Sequence, residues 1–286
     1  MIIMTPNSAA TSATRVAVVT GANKGIGYFI ALQLALSGMF QHVLLACRDT
    51  TRASAAVQSI QASLPAENSV SVSSYAPLEV GDTDSHNEFV KYIDETFGGK
   101  VDLLVNNAAI AFKNADPTPF KDQCKPTLDV NFYGTVDLTE KMIPRLSNDA
   151  RVVTVASMAG RLKQVSQGLQ DRFTSKDLTI DGLKALVQEF SDSVQKGTHK
   201  EDGWSNTNYG ISKLAIVAAT KVWARQYPGI RFYSCCPGYC KTDMTSQMGV
   251  RDPNEGARNA VIPATLPVAE LPSSGAFYSN FEVGKW

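Results

Sequence analysis

Charge of one sign is what this 286-residue sequence lacks most plainly, since 27 Lys and Arg balance 27 Asp and Glu. A surface without net charge gives no electrostatic reason to expect nucleic acid or an anionic membrane as partner. Long apolar runs are missing as well. None approaches the roughly 20 residues that a membrane-spanning helix needs, although 44% of the residues are hydrophobic, enough for a large core. The five cysteines, Cys47, Cys124, Cys235, Cys236 and Cys240, contain no paired C-x-x-C. That argues against a disulfide framework and for a reducing compartment, so a cytoplasmic protein is expected. The three histidines, His42, His86 and His199, stand without ligand spacing, and no metal site is expected. The opening "MIIMTPNSAATSATR" has neither the basic start nor the apolar stretch of a secretory signal, and its single Arg is poor for an organelle presequence. Residues 1–14 are expected to be a flexible tail, with residues 15–286 forming one domain.

What is present from Arg15 onward is alternation. Short β-branched runs at 15–20, 42–47, 69–75, 101–105, 151–157 and 230–235 read as strands, several almost continuously apolar, as parallel strands covered on both faces are. Helical composition fills 25–37, 50–63, 84–97, 120–146 and 206–227 between them. The pattern predicts right-handed βαβ crossovers and an α/β fold, a Rossmann-type doubly wound parallel sheet. Ligands of such sheets bind beyond the carboxyl ends of the strands. Residues 158–208 break the rhythm. Within them Leu183, Leu186, Val187, Phe190 and Val194 recur at helical spacing before Gly197, which predicts an amphipathic helix in a helical insertion.

The motifs cluster at strand ends. "TGANKGIG" follows the first strand, and Gly21, Gly25 and Gly27 permit a sharp turn with backbone N–H groups close to a pyrophosphate. Lys24 lies in that loop and Arg48 follows the second strand. Two cations there favour the 2′-phosphate of NADPH, whereas the adjacent Asp49 would take an NAD ribose or cap the next helix. In "VNNAAI", Asn106 and Asn107 are placed to tie neighbouring strands, and the small Ala108 and Ala109 leave room beside a cofactor. Ser157 ends the fifth strand, where its hydroxyl either polarises a substrate carbonyl or caps a turn. "YGISK" puts Tyr209 and Lys213 one helical turn apart on one face. A held ammonium there lowers a phenol pKa toward working range.

Taken in order, TGxxxGxG, NNAA, Asn131 in "VNFYGT", Ser157, YxxxK and "PG…T" resemble the short-chain dehydrogenases/reductases, from about Arg15 to the end of the chain. The insertion ending "GWSNTNYGISK", together with "CCPGYCKTDM", is similar to the carbonyl reductase branch. The resemblance implies catalytic roles for Asn131, Ser157, Tyr209 and Lys213. Tyr209 would be the general acid, Lys213 its tuner and a holder of the nicotinamide ribose, Ser157 the carbonyl polariser, and Asn131 the support of a proton-relaying water. It implies an NADPH site of Gly21, Asn23, Lys24, Gly25, Ile26, Gly27, Arg48, Asn107, Ala108, Tyr209, Lys213, Pro237, Gly238 and Thr242. A carbonyl substrate would meet Ser157, Tyr209, Met158, Tyr239 and Met244. The expected activity is NADPH-dependent reduction of ketones, aldehydes or quinones, with reduction of conjugated C=C bonds and an NADPH-binding redox sensor as alternatives. The insertion implies a monomer. Two departures stand out: Ala109 where the family has Gly, and Glu79-Val80 where it has Asp before a small aliphatic, beside the adenine. Cys235 and Cys236 are expected to be buried structural residues rather than reactive thiols.

Overall fold

The structure, a computed structural model, describes residues 14–113 and 115–286. The expected tail therefore lies outside the described residues, Thr14 excepted. Strands β1 (Val16–Thr20), β2 (His42–Ala46), β3 (Ser71–Tyr75), β4 (Val101–Asn106), β5 (Leu146–Val155), β6 (Arg231–Cys236), β7 (Phe277–Ser279) and β8 (Glu282–Gly284) form a single sheet. Its order is β3-β2-β1-β4-β5-β6-β7-β8. Every neighbouring pair is parallel except β7–β8. The order 3-2-1-4-5-6 is that of the doubly wound dinucleotide-binding fold, with the crevice above β1 and β4.

The continuous apolar runs have the cause expected of them. In β1, Val16 and Val18 face one core, with Phe89, Phe132, Leu214 and Val217, while Ala17 and Val19 face the other, with Ile30, Leu34, Ile60 and Ala260. The first core is covered by α3 (Thr83–Phe97), α4 (Phe120–Leu128), α5 (Thr135–Met142) and α8 (Asn208–Gln226), the second by α1 (Gly25–Leu36), α2 (Thr50–Ser63) and α9 (Pro253–Thr265). The insertion contributes α6 (Gln167–Thr174) and α7 (Ile180–Lys196). As the spacing predicts, Leu183, Leu186, Val187, Phe190 and Val194 are buried, and Gly197 ends α7 in the left-handed region at φ 79°. Each of these apolar side chains contributes about 1.5–3 kcal/mol by leaving water. The stripe packs on α4 and α8, so α8 is buried on nearly every side.

Two expectations are corrected. The segment 120–146 is not one helix. Pro126 lies inside α4, where it has no N–H to offer the preceding turn, and residues Asp129–Gly134 form a π-helical turn before α5. Gly134 is required there, because a Cβ would run into the Val80 carbonyl. β5 begins at Leu146 rather than 151, with a register shift against β4 between Val101 and Leu103. α9 and the β7–β8 pair are additions. The Asp252-Pro253 start of α9, a carboxylate cap with Pro in the first turn, is a legible helix signal. The three-residue strands β7 and β8 are too short to show a period. Among the described residues, no helix is long and apolar enough to cross a membrane.

Candidate active site

Every motif singled out in the sequence sits at one edge of the sheet, beyond the carboxyl ends of β1, β2, β4, β5 and β6. The β1 loop is shaped for an anion. Gly21 and Gly25 have φ of +63° and +56°, a conformation glycine adopts without strain. A Cβ at Gly27 would strike Asn107 Nδ2 and Gly21 O. The first turn of α1 has neither a side-chain cap nor an acidic residue. Its N–H groups and the positive end of the helix dipole therefore point to where a pyrophosphate would sit. On this test the residues fit a dinucleotide.

Asn107 locks that loop to β4, as expected. Its Nδ2 donates to Thr20 O at 2.9 Å and to Gly21 O at 3.2 Å, while Thr20 Oγ1 accepts from the N–H groups of Asn107 and Ala108, both at 3.0 Å. Thr20 was not singled out by sequence reasoning, being an ordinary strand-end residue. Asn106 ties β4 to α5 by donating to Thr139 Oγ1 at 2.9 Å. Asn23 and Ile26 are half-buried on the same loop.

The two cations fare differently. Asp49 is taken up as the N-cap of α2, accepting from Arg52 N at 2.8 Å, so the sequence ambiguity at β2 resolves toward the cap. Arg48 is 71% exposed along its side chain and only 3.9 Å from Glu79. Lys24, by contrast, is paired with Asp243 at 2.7 Å. Such an exposed pair stabilises by only ~0–1 kcal/mol, little enough for a stronger anion to displace it. The Lys24–Asp243 contact also brings the β1 loop against the segment after β6, where Thr242 Cγ2 lies 3.5 Å from a Cβ placed at Gly25. Pro237 O accepts from Arg251 Nη1 at 3.1 Å, and Gly238 has a φ of +87° with the Arg251 guanidinium filling its Cβ position.

The acid–base group is built on α8. Thr207 caps it, accepting from Gly210 N at 2.9 Å, so Tyr209 and Lys213 lie on its first turns. Lys213 Nζ is 5.6 Å from the Tyr209 ring centroid, and donates to Val155 O at 2.8 Å. One face carries both groups, as the spacing predicts. The expected tuning is not what the site shows. Burial pushes the Tyr209 phenol up to about 12, with Cys236 adding to the rise and a hydrogen bond from Ser157 opposing it. Burial pulls Lys213, 4% exposed, down to about 8. The ammonium is held at the Val155 carbonyl rather than at the phenol oxygen, so desolvation decides both groups. A phenol held this high is fully protonated at neutral pH, the form a proton donor needs.

Of the two roles weighed for Ser157, the cap is what its contacts show: its Oγ closes the turn Met158–Gly160, accepting from Ala159 N at 3.1 Å, and it borders Tyr209 closely enough to oppose the rise of the phenol. Gly160 lets this turn rest on α8, since a Cβ would lie 2.6 Å from Lys213 C. Asn131 projects from the π-helical turn. It accepts from Ile110 N at 2.8 Å and donates to Ile110 O at 2.9 Å and Ser212 Oγ at 3.2 Å. Ser212 Oγ in turn donates to Tyr209 O at 2.7 Å. Asn131 thus ties the β4 loop to α8.

Tyr239 and Met244 lie exposed, 51% and 40%, on the segment after β6, joined there by Met248 and Val250, which sequence reasoning missed. Met158 is partly buried beside Ser157. All five cysteines are buried and unbridged. Burial raises the Cys235 thiol well above its ordinary range and takes Cys240 up to about 11, in keeping with structural residues. Two other concavities, of about 350 and 520 Å³, contain none of Ser157, Tyr209 or Lys213. Chemistry, not volume, marks the site.

The sequence profile of the short chain dehydrogenase family matches residues 15–169. Carbonyl reductase (NADPH) 1 of Homo sapiens is 36% identical over 285 residues, spanning 96% of this chain and 99% of that protein. The protein of the same name from Mus musculus is 35% identical over the same shares. Among solved structures, salutaridine reductase from Papaver somniferum superposes with a TM-score of 0.81 at 30% identity, covering 92% of this chain and 99% of that one. Menthone neomenthol reductase from Mentha piperita superposes at 0.76 and 30%, covering 93% and 98%. With the ordered motifs gathered at one sheet edge and similarity running along nearly the whole chain, this protein belongs to the short-chain dehydrogenase family.

Proposed function

We propose that the chain is an NADPH-dependent oxidoreductase that reduces the carbonyl group of ketones, aldehydes or quinones. The observation that carries this reading is the grouping of three polar side chains at one strand end: Lys213 Nζ lies 5.6 Å from the Tyr209 ring centroid, one helical turn on, with Ser157 bordering the phenol. NADPH, when bound, supplies the hydride. The uncapped start of α1 would hold its pyrophosphate, and Arg48, with Lys24 once released from Asp243, would meet its 2′-phosphate. Ser157 donates a hydrogen bond to the substrate oxygen, and Tyr209 delivers the proton as negative charge builds on that oxygen. Lys213 supplies positive charge behind the phenol, and Asn131 keeps the β4 loop and α8 in register. Exposed Tyr239 and Met244, with Met158, would line an adaptable apolar substrate surface.

The retained Tyr209 favours carbonyl reduction over reduction of a conjugated C=C bond, because protonating an alkoxide oxygen is the step its hydroxyl is suited to. A redox sensor has no need of all four polar groups. Human carbonyl reductase (NADPH) 1 and the two plant reductases carry names that accord with carbonyl chemistry.

Arg48→Asp is expected to lower kcat/KM with NADPH roughly tenfold or more, the loss of one charge-assisted contact, while kcat/KM with NADH changes little. Steady-state assays with both cofactors check this, and equal losses for the two would remove Arg48 from 2′-phosphate recognition. With α7 covering α4 and α8, the chain is proposed to be a monomer. Light scattering should return about one chain mass, and a stable tetramer would overturn it. Five buried free thiols accord with the cytoplasm, a placement that fractionation into an oxidising lumen would contradict.

A further inference from the structure

We propose that Gln164 is a positioning residue for the reaction, holding the turn that carries Ser157 against the turn that carries Tyr209; this rests on the carbonyl reductase reading above. Gln164 closes the short 3-10 turn Leu162–Gln164 at the start of the insertion, outside every motif of the sequence. Its Nε2 donates to Ala159 O at 2.8 Å and to Gly210 O at 3.3 Å. A primary amide nitrogen has two protons, so one donor group reaches both carbonyls. Its Oε1 accepts from Ser205 Oγ at 2.8 Å, which fixes the orientation of the carboxamide.

The two carbonyls belong to the neighbours of the reacting groups. The N–H of Ala159 is held by Ser157 Oγ, and Gly210 directly follows Tyr209. The backbones there leave no room for a wider bridge. A Cβ at Gly210 would lie 2.9 Å from Ala159 O and 2.7 Å from Gln164 Oε1. Two glycines, Gly160 and Gly210, let the Ser157 turn approach α8, and Gln164 supplies the polar tie that fixes how closely. Ser157 and Tyr209 must address one substrate oxygen, so a loosened tie acts on their alignment, to which rates are steeply sensitive.

Gln164→Met keeps the length of the side chain and removes the amide. Gln164→Glu keeps the acceptor for Ser205 and sets a carboxylate against two carbonyl oxygens, until protonation gives it a donor again. Both variants are compared with the wild type by kcat, carbonyl KM, NADPH affinity from fluorescence, melting temperature and hydrogen exchange. Gln164→Met is expected to lower kcat roughly tenfold, with NADPH affinity and melting temperature near wild type. Gln164→Glu is expected to fall further at pH 7 and to recover relative to Gln164→Met as the pH drops toward 5. Exchange should quicken at residues 157–160 and 207–213 in both variants. Wild-type kcat in Gln164→Met overturns the proposal, as do parallel losses in both variants without recovery at low pH. Should the wild type reduce no carbonyl, the functional reading fails, and the exchange data still decide the tie: unchanged protection at 157–160 in Gln164→Met would overturn it.

Discussion

Tyr209→Phe is expected to lower kcat for carbonyl reduction by roughly 10²–10⁴-fold, the usual contribution of a positioned general acid, while NADPH affinity stays close to wild type. The ring and its contacts are retained and only the hydroxyl is lost, so the change isolates proton delivery. Burial holds the phenol up at about 12, so no phenolate is available at neutral pH and the group acts as a donor in the direction of reduction. Ser157→Ala in the same background should add little, because both hydroxyls serve one oxygen and residues that act as a unit are not additive. Turnover by Tyr209→Phe within a few-fold of wild type would mean that another group delivers the proton.

Lys213→Met is expected to be inactive yet at least as stable as the wild type at pH 7. Lys213 falls from 10.5 to about 8 on burial. Its native-state pKa lies below its unfolded-state value, so the folded protein binds fewer protons across that window. Stability therefore rises with pH between about 8 and 10.5, as the penalty for a buried charge is relieved. At pH 7 that penalty is on the order of 3 kcal/mol, the cost of holding the ammonium at about 8. Against it stands the Lys213–Val155 hydrogen bond at 2.8 Å, worth about 1 kcal/mol net. Between pH 8 and 10 the wild type should gain stability relative to Lys213→Met, set against the loss that thiols raised by burial impose on both proteins. A variant less stable at pH 7 and with the wild-type slope would show that the ammonium is not held at a cost. Inactivity together with undiminished stability would mark Lys213 as a buried charge kept for activity at a cost in stability.

The central sheet was legible because strands buried on both faces cannot hide. Val16 to Val19 and Val43 to Ala46 have no room for polar side chains, and their composition says so. α7 was legible through a single stripe, Leu183 to Val194, capped by Gly197. The π-helical turn at 129–134 was not, since its cause is Gly134 under the Val80 carbonyl, a contact between residues 54 apart. The shared helix face of Tyr209 and Lys213 was legible because residues one turn apart meet by geometry alone, while their proposed roles came from the order of the motifs along the chain. The sequence misjudged the electrostatics of the pair, because a phenol pKa depends on which atoms surround it. Lys213 reaches Val155 O, and Cys236 and Ser157 border the phenol, all brought in from other strands. Lys24 and Asp243 stand 219 positions apart, and no local pattern could have paired them. Gln164 lies in no motif at all, and its part emerges only from the carbonyls it reaches.

NADPH-dependent carbonyl reduction by the Ser157–Tyr209–Lys213 site is tested most directly by the oxidation of NADPH, followed by absorbance, against a panel of quinones, aromatic aldehydes and ketones. Wild-type protein should turn over at least one class, prefer NADPH to NADH, and lose turnover in Tyr209→Phe. Tight NADPH binding without turnover of any carbonyl, or turnover indifferent to Tyr209, would contradict it.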